Sequence, residues 1–408
     1  MNFHELTLDN GLNIIAEVNP SAASMAAGFF VRTGSRDETP GISGVSHFLE
    51  HMMFKGTARR SPADVNLEFD NMGANYNAFT SEESTVYYGA VLPEFQHPLM
   101  DLLCDMLRPA LRQEDFDVEK NVILEEIALY DDQPRFRVYD GLMGHFFHGH
   151  PLGQSILGSR QSIGDLKREQ MQAYFDARYA ADNITVVTVG NVNLDALVKQ
   201  VHAMCNSWRP SRAGRATPPP PAPVGVKIIH DEKIVREHIG LMSPAPHAQA
   251  DNIHAAQLLA SVLGDSTGSR LYYALVEPAL VDEASMAYDA LDQAGGFMTF
   301  LSTDPDRAKH VLDIAHAEFR RFMDDGPTEA ELAAAKNKIA SAATLKGELP
   351  MGRLTAVGFD WVYRREYVGL PERIEQLFAV TAQEVHELAQ AFDLAQTACL
   401  ALGPLENL

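Results

Sequence analysis

His47, Glu50 and His51 stand in the stretch VSHFLEHMMF, and their types and spacing suit one kind of chemistry. A helix turns about 100° per residue, so two imidazoles four positions apart come round by roughly 400° and stack on one face. From that face both can reach the same divalent cation. The acid between them in sequence can stand beside the ion without ligating it and take a proton from an activated water. Val45, Phe48, Leu49 and Met52 are apolar and give such a helix a side to bury. The plainer alternative is a pair of part-buried histidines bonded to backbone, with Glu50 as a surface acid. The pentapeptide alone leaves both open.

A catalytic zinc takes three protein ligands and keeps one position for water, and two histidines with one carboxylate form such a set. The stretch EDFDVEKNVILEEIALYDD offers the carboxylate. Its pattern predicts a helix from near Glu114, with Val118, Val122, Ile123 and Ile127 as apolar contacts. Glu119 and Glu126 lie two turns apart and share a face, so Glu126 is placed as the third ligand. Glu119 would hold a ligating imidazole through its second nitrogen. Glu125 faces another direction and reads as a solvated acid, and Asp131 and Asp132 cap or solvate the helix end. Without a metal, Glu119 and Glu126 would be solvated acids too.

The elements that must position these groups follow from the rest of the chain. Its 408 residues are 46% hydrophobic and 22% charged, enough to bury large cores. With 33 basic and 55 acidic residues the formal charge is -22, which repels phosphate backbones and argues against nucleic acid as a partner. Cys104, Cys205 and Cys399 lie far apart in sequence, with no thiolate zinc spacing and no disulfide framework. No apolar run reaches the roughly 20 residues that span a bilayer, and the first residues lack a basic stretch followed by an apolar one. The expectation is a soluble protein of a reducing compartment, the cytoplasm first, with periplasm or organelle left open.

The segment RPSRAGRATPPPPAPVG is rich in Pro and small residues and reads as an extended linker. It sets expected domains at 1–210 and 226–408, joined by residues 211–225, with a weaker turn at LKGELPMGR around Pro350. Strand-like runs such as LNIIAEV, SMAAGFFVRTG, STVYYGAVL and NITVVTVGNV alternate with helical patterns in the first half. VKIIHD, IGLMSPAP, EASMAYDAL, GGFMTFLST and ACLALGP repeat that order in the second. The fold class is therefore α+β: duplicated sandwich-like units, each a mainly antiparallel sheet covered by helices.

Taken together, GISGVSHFLEHMMFKGT, GANYNAFTSEESTVYY and VEKNVILEEI resemble the pitrilysin-like zinc metallopeptidases, a family that includes the insulin-degrading enzyme and the mitochondrial processing peptidase. GHPLGQSILGSRQSI and NITVVTVGNV extend the likeness through the first domain, and ELAAAKNKI carries it into the second. The resemblance implies one zinc per chain on His47, His51 and Glu126, with Glu50 as general base and Glu119 behind the site. It also implies that the strand through Ala74, Asn75, Asn77, Ala78, Phe79 and Thr80 is an edge that pairs with extended peptide or unfolded protein. Short-chain members work as two-chain clamshells, so a homodimer, or a heterodimer with a homologous subunit, is expected.

The second half departs from the family pattern. Its helix NIHAAQLLASVLG has no His-x-x-Glu-His, and His254 reads as structural or exposed. Active members carry an arginine and, seven residues on, a tyrosine that aid substrate binding and the oxyanion; the matching positions here are Val276 and Glu283. Arg270 and Tyr288 are near but out of register. A carboxylate would repel a developing oxyanion, and one lost donor costs about 3 kcal/mol. This keeps two functions in view: a zinc endopeptidase, or a weakly catalytic or non-catalytic subunit whose partner supplies the missing pair. A zinc hydrolase of small molecules explains neither the duplication nor the strand. His145, His148 and His150 read as a loop with a structural or substrate-edge role, and GDSTGSRL lacks the lysine and the preceding strand of a phosphate loop.

Overall fold

The computed structural model describes residues 1–221 and 225–408. Among the described residues, contacts divide the chain into two compact units. The first comprises Met1–Ala128, Gln154–Ala216 and Thr344–Val368; the second comprises Leu129–Gly153, Thr217–Ala343 and Gly369–Leu408.

The first unit is built on six strands: β1 (Asn2–Thr7), β2 (Asn13–Val18), β3 (Met25–Val31), β4 (Asn75–Thr80), β5 (Thr85–Val91) and β6 (Ile184–Gly190). Their order is β1-β2-β6-β3-β5-β4, with β2 and β6 parallel and the other neighbours antiparallel. β3 and β6 are buried along their whole length, which explains their unbroken apolar sequences: helices cover both faces of the sheet. On one face Leu354, Val357 and Trp361 of helix Pro350–Arg364 pack on Ile15, Phe30, Val86 and Val187. The approach is close enough that a Cβ on Gly358 would fall 2.3 Å from the Phe30 ring, so only glycine fits there. Helices Gln96–Met106 and Leu194–Cys205 pack against each other and cover the other face.

The second unit holds β7 (Val226–His230), β8 (Glu237–Pro244), β9 (Val281–Leu291), β10 (Ala294–Thr303) and β11 (Ala398–Gly403), in the order β7-β11-β8-β10-β9. One parallel pair, β7–β11, is followed by antiparallel ones. This repeats β2-β6-β3-β5-β4, so the duplicated α+β organisation expected from element order is what the chain adopts. Helix Pro134–Phe146 lays Val138, Leu142 and Phe146 on one sheet face, against Met242, Phe300 and Leu400. The other face packs on helices Ile253–Gly264, Ala308–Asp325 and Ala382–Ala391.

Contact therefore divides the chain differently from the linear scheme 1–210, 211–225 and 226–408. Helix Pro134–Phe146 belongs with the second sheet and helix Pro350–Arg364 with the first. The reason is that each sheet has an apolar face that no helix of its own contiguous stretch covers. Within the linker, Arg215 is tied to the first unit through Asp37 at 2.7 Å, and the Pro218 carbonyl bonds His150 of the second at 3.0 Å. Residues 222–224 of that linker lie outside those described. Cys104, Cys205 and Cys399 are free thiols; Cys104 and Cys205, remote in sequence, bring their sulfurs to 3.6 Å because the helices carrying them pack together. One further expectation changes. Val118 and Val122 are 65% and 45% exposed; the buried seam of their helix is Phe116, Glu119, Ile123 and Ile127.

Candidate metal centre

Helix Val45–Met53 carries His47, Glu50 and His51. It starts at Gly44, whose φ of 90° lies in the left-handed region that glycine tolerates. The Glu38 carboxylate accepts the N–H groups of Gly44 and Ser46, both at 2.7 Å, and so satisfies donors that the first turn leaves free. Burial pushes the Glu38 carboxyl up to about 8, against the pull of those two N–H groups. Helix Gln113–Asp131 brings Glu119 and Glu126 to the same place.

His47 Nε2 and His51 Nε2 lie 3.7 and 3.4 Å from the same Glu126 oxygen, Oε2. One candidate ligand atom from each of the three residues falls within 4.8 Å of the others, the one such cluster of metal-capable side chains among the described residues. His51 Nδ1 is 2.9 Å from Glu119 Oε1, and Lys55 Nζ is 2.6 Å from Glu119 Oε2. With Nδ1 taken by the carboxylate, the lone pair of His51 is directed to Nε2. Among the described residues His47 has no such orienter: its Nδ1 is buried without a hydrogen-bond partner there.

The electrostatics follow the burial. Burial, aided by the His51 charge, pulls His47 down to about 3, so its imidazole is neutral and able to ligate. Burial also pulls on His51, but the bond to Glu119 and the charges of Glu126 and Glu50 outweigh it and leave its pKa raised. Desolvation raises Glu126 and Glu50, the latter opposed by a hydrogen bond from Thr80. For Glu119 burial acts upward too, yet His51 and Lys55 overcome it and hold the carboxyl below its ordinary value. Two imidazole nitrogens and a carboxylate oxygen, one imidazole already oriented, form a donor set suited to zinc.

Glu50 stands outside the three donors and accepts a bond from Thr80 Oγ1 at 2.6 Å. Thr80 ends β4, which pairs with β5 on one side and is the edge of its sheet. Of the other residues expected on this strand, Ala78 is buried, Asn75 and Asn77 are exposed, and Ala74 immediately precedes it. Phe79 packs toward Tyr88 and Phe359 on the far face. Glu125 is exposed, as its direction on the helix predicts. The sequence did not reveal the bond between Thr80 and Glu50, because strand and helix meet only through the fold.

In the second unit Val276 packs on the apolar core, and the Glu283 carboxylate is ion-paired with Arg135, whose guanidinium lies 4.6 Å from the Phe300 ring centroid. Arg270 is engaged by Glu331 at 2.8 Å and by the Gly326 carbonyl, and Tyr288 OH donates to the Pro246 carbonyl at 2.8 Å. His254 contacts Gln257 and Gln376. His145 ends a helix rather than lying in a loop; its Nε2 and that of His150 bond the carbonyls of Gly225 and Pro218.

Residues 13–160 match the family described as insulinase (peptidase family M16), and residues 165–339 match the peptidase M16 inactive domain. An uncharacterized zinc protease of Bacillus subtilis is 30% identical over 412 residues, covering 98% of each chain. One from Mycobacterium tuberculosis is 30% identical over 405 residues, 98% of this chain and 92% of the relative. Among solved structures, a protease from Helicobacter pylori superposes with a TM-score of 0.91 at 20% identity, covering 99% of both chains. A peptidase M16 inactive domain from Pseudomonas fluorescens gives 0.90 at 18% identity, covering 99% of this chain and 98% of that one. These last two likenesses show the fold.

Proposed function

Because the chain belongs to the insulinase family of M16 peptidases, we propose that it is a zinc-dependent endopeptidase acting on peptides or unfolded protein segments. The observation that carries this reading is the meeting of His47, His51 and Glu126 within 4.8 Å, with Glu50 beside them but outside the donor set. His47, His51 and Glu126 hold one zinc, and Glu119 orients His51 from behind. Zinc supplies Lewis acidity, which makes a water easier to deprotonate and a carbonyl easier to attack. Glu50 accepts the proton of the attacking water and passes it to the nitrogen of the departing amine. The free edge of β4, through Ala74, Asn75, Asn77, Ala78, Phe79 and Thr80, pairs with extended substrate backbone, a mode that admits unfolded chains and not folded ones.

The test is turnover of an unstructured peptide by the zinc-loaded chain. Removal of zinc with a chelator is expected to abolish turnover, and added zinc to restore it, with metal analysis giving about one ion per chain. A zinc-loaded chain that cleaves no peptide in a varied set, alone or with a homologous subunit, would overturn the reading. Glu119 adds a graded check: Glu119→Gln should weaken zinc binding by roughly 10- to 100-fold in competition with a chromogenic chelator.

One observation favours a second reading. At the positions where the resemblance implies an arginine and a tyrosine, this chain has a part-buried valine packed against the apolar core and a glutamate paired with Arg135. In that reading the chain is one half of a two-chain clamshell, and its partner supplies the oxyanion donors. Turnover that appears only when a homologous subunit bearing such a pair is added would favour it over a self-sufficient homodimer.

A further inference from the structure

The Glu50 carboxylate has two oxygens in different situations. Oε2 accepts the Thr80 hydroxyl at 2.6 Å, whereas Oε1 accepts no hydrogen bond among the described residues. A glutamate's terminal torsion is soft, so a carboxylate left to itself samples a broad range of planes. A short bond to one oxygen restricts the plane and leaves the other unengaged among the described residues. We propose that Thr80 is a positioning residue, holding Glu50 by Oε2 so that Oε1 is presented to the water proton; this rests on the peptidase reading of the site.

The surroundings of Thr80 suit that task. It pairs with Thr85 at the closed end of the β4–β5 hairpin, and the turn beyond it is held firmly. Arg36 N–H donates to the Glu82 carbonyl at 2.9 Å, and Ser35 N–H to the Ser81 carbonyl at 3.4 Å. The Glu83 carboxylate is buried against the Arg36 guanidinium and accepts Tyr363 OH at 2.8 Å, while Arg215 donates to the Glu83 carbonyl. The segment that grips this turn continues to Glu38, which holds the start of the Glu50 helix. Strand end and helix start are thus fixed to one buried cluster of charges, and the bond from Thr80 to Glu50 closes the loop between them. Since β4 is also the strand expected to pair with substrate, backbone capture and base orientation are joined on one element.

Thr80→Val keeps the shape and removes the hydroxyl; Thr80→Ser keeps the hydroxyl and removes the methyl. With zinc loaded, Thr80→Val is expected to lose roughly 10- to 100-fold in kcat, with KM changed less than about twofold and zinc content unchanged. Thr80→Ser should retain most of the wild-type kcat. A role in packing alone predicts the reverse order, with serine impaired and valine close to wild type, and that result overturns the inference. So does an unchanged kcat in Thr80→Val. If the valine variant does not fold, Thr80→Ala compared with Thr80→Ser gives the same contrast. An active wild type with an active Thr80→Val sinks this inference alone; an inert wild type sinks the peptidase reading with it.

Discussion

Glu50→Gln is expected to lower peptide turnover by about 10³-fold or more while leaving zinc at about one per chain, because glutamine matches the shape of glutamate but cannot accept the proton. The three donors, His47, His51 and Glu126, are untouched by the change. The Thr80 hydroxyl still finds an acceptor in the amide oxygen, so the local fold should hold. The measurement pairs a peptide assay with metal analysis of the same sample. Loss of both activity and zinc would mean that Glu50 supports the metal, and retention of full activity would remove it from the chemistry. His51→Ala is the useful contrast, since it should lose the metal and the activity together.

The second large effect concerns stability. Arg353 and Glu17 are 3% and 1% exposed at their side chains, and the guanidinium Nε reaches Glu17 Oε1 at 3.0 Å. Tyr367 OH donates to the other carboxylate oxygen at 2.8 Å. Removing one member of such a pair strands a buried charge, which costs about 3–5 kcal/mol. Arg353→Met should therefore shift the urea midpoint of the first unit strongly downward. The two tryptophans of the chain, Trp208 and Trp361, both lie in that unit, so their fluorescence follows its unfolding selectively. Adding Glu17→Gln to Arg353→Met should recover part of the loss by removing the stranded charge. A midpoint that does not move in the single variant would show the pair to be dispensable.

The candidate site was largely legible because its parts are local. Two histidines at helical spacing with a glutamate between them, and two glutamates two turns apart, depend only on the period of an α-helix. The order of strands and helices carried the duplication in the same way. What was not legible arises between distant segments. The Glu126 helix was expected to bury Val118 and Val122, yet its seam passes through Glu119, which a hydrophobic count rejects although it keeps the helical spacing. The approach of Cys104 to Cys205, the bond from Thr80 to Glu50 and the pairing of Glu17 with Arg353 each join residues that no periodicity relates.

The crossing of two helices limits how the chain can be cut. A break within residues 211–221, which lie outside helices and strands, severs the polypeptide between its two sheets in sequence, but the N-terminal fragment would be left without helix Pro350–Arg364 over Phe30, Val86 and Val187. The C-terminal fragment would lack helix Pro134–Phe146 over Met242 and Leu400. Each piece holds the cover that the other needs. Halves expressed separately should aggregate, whereas halves expressed together should complement one another, and a protease nick in the proline segment should leave a chain that migrates as two bands in denaturant and as one species without it.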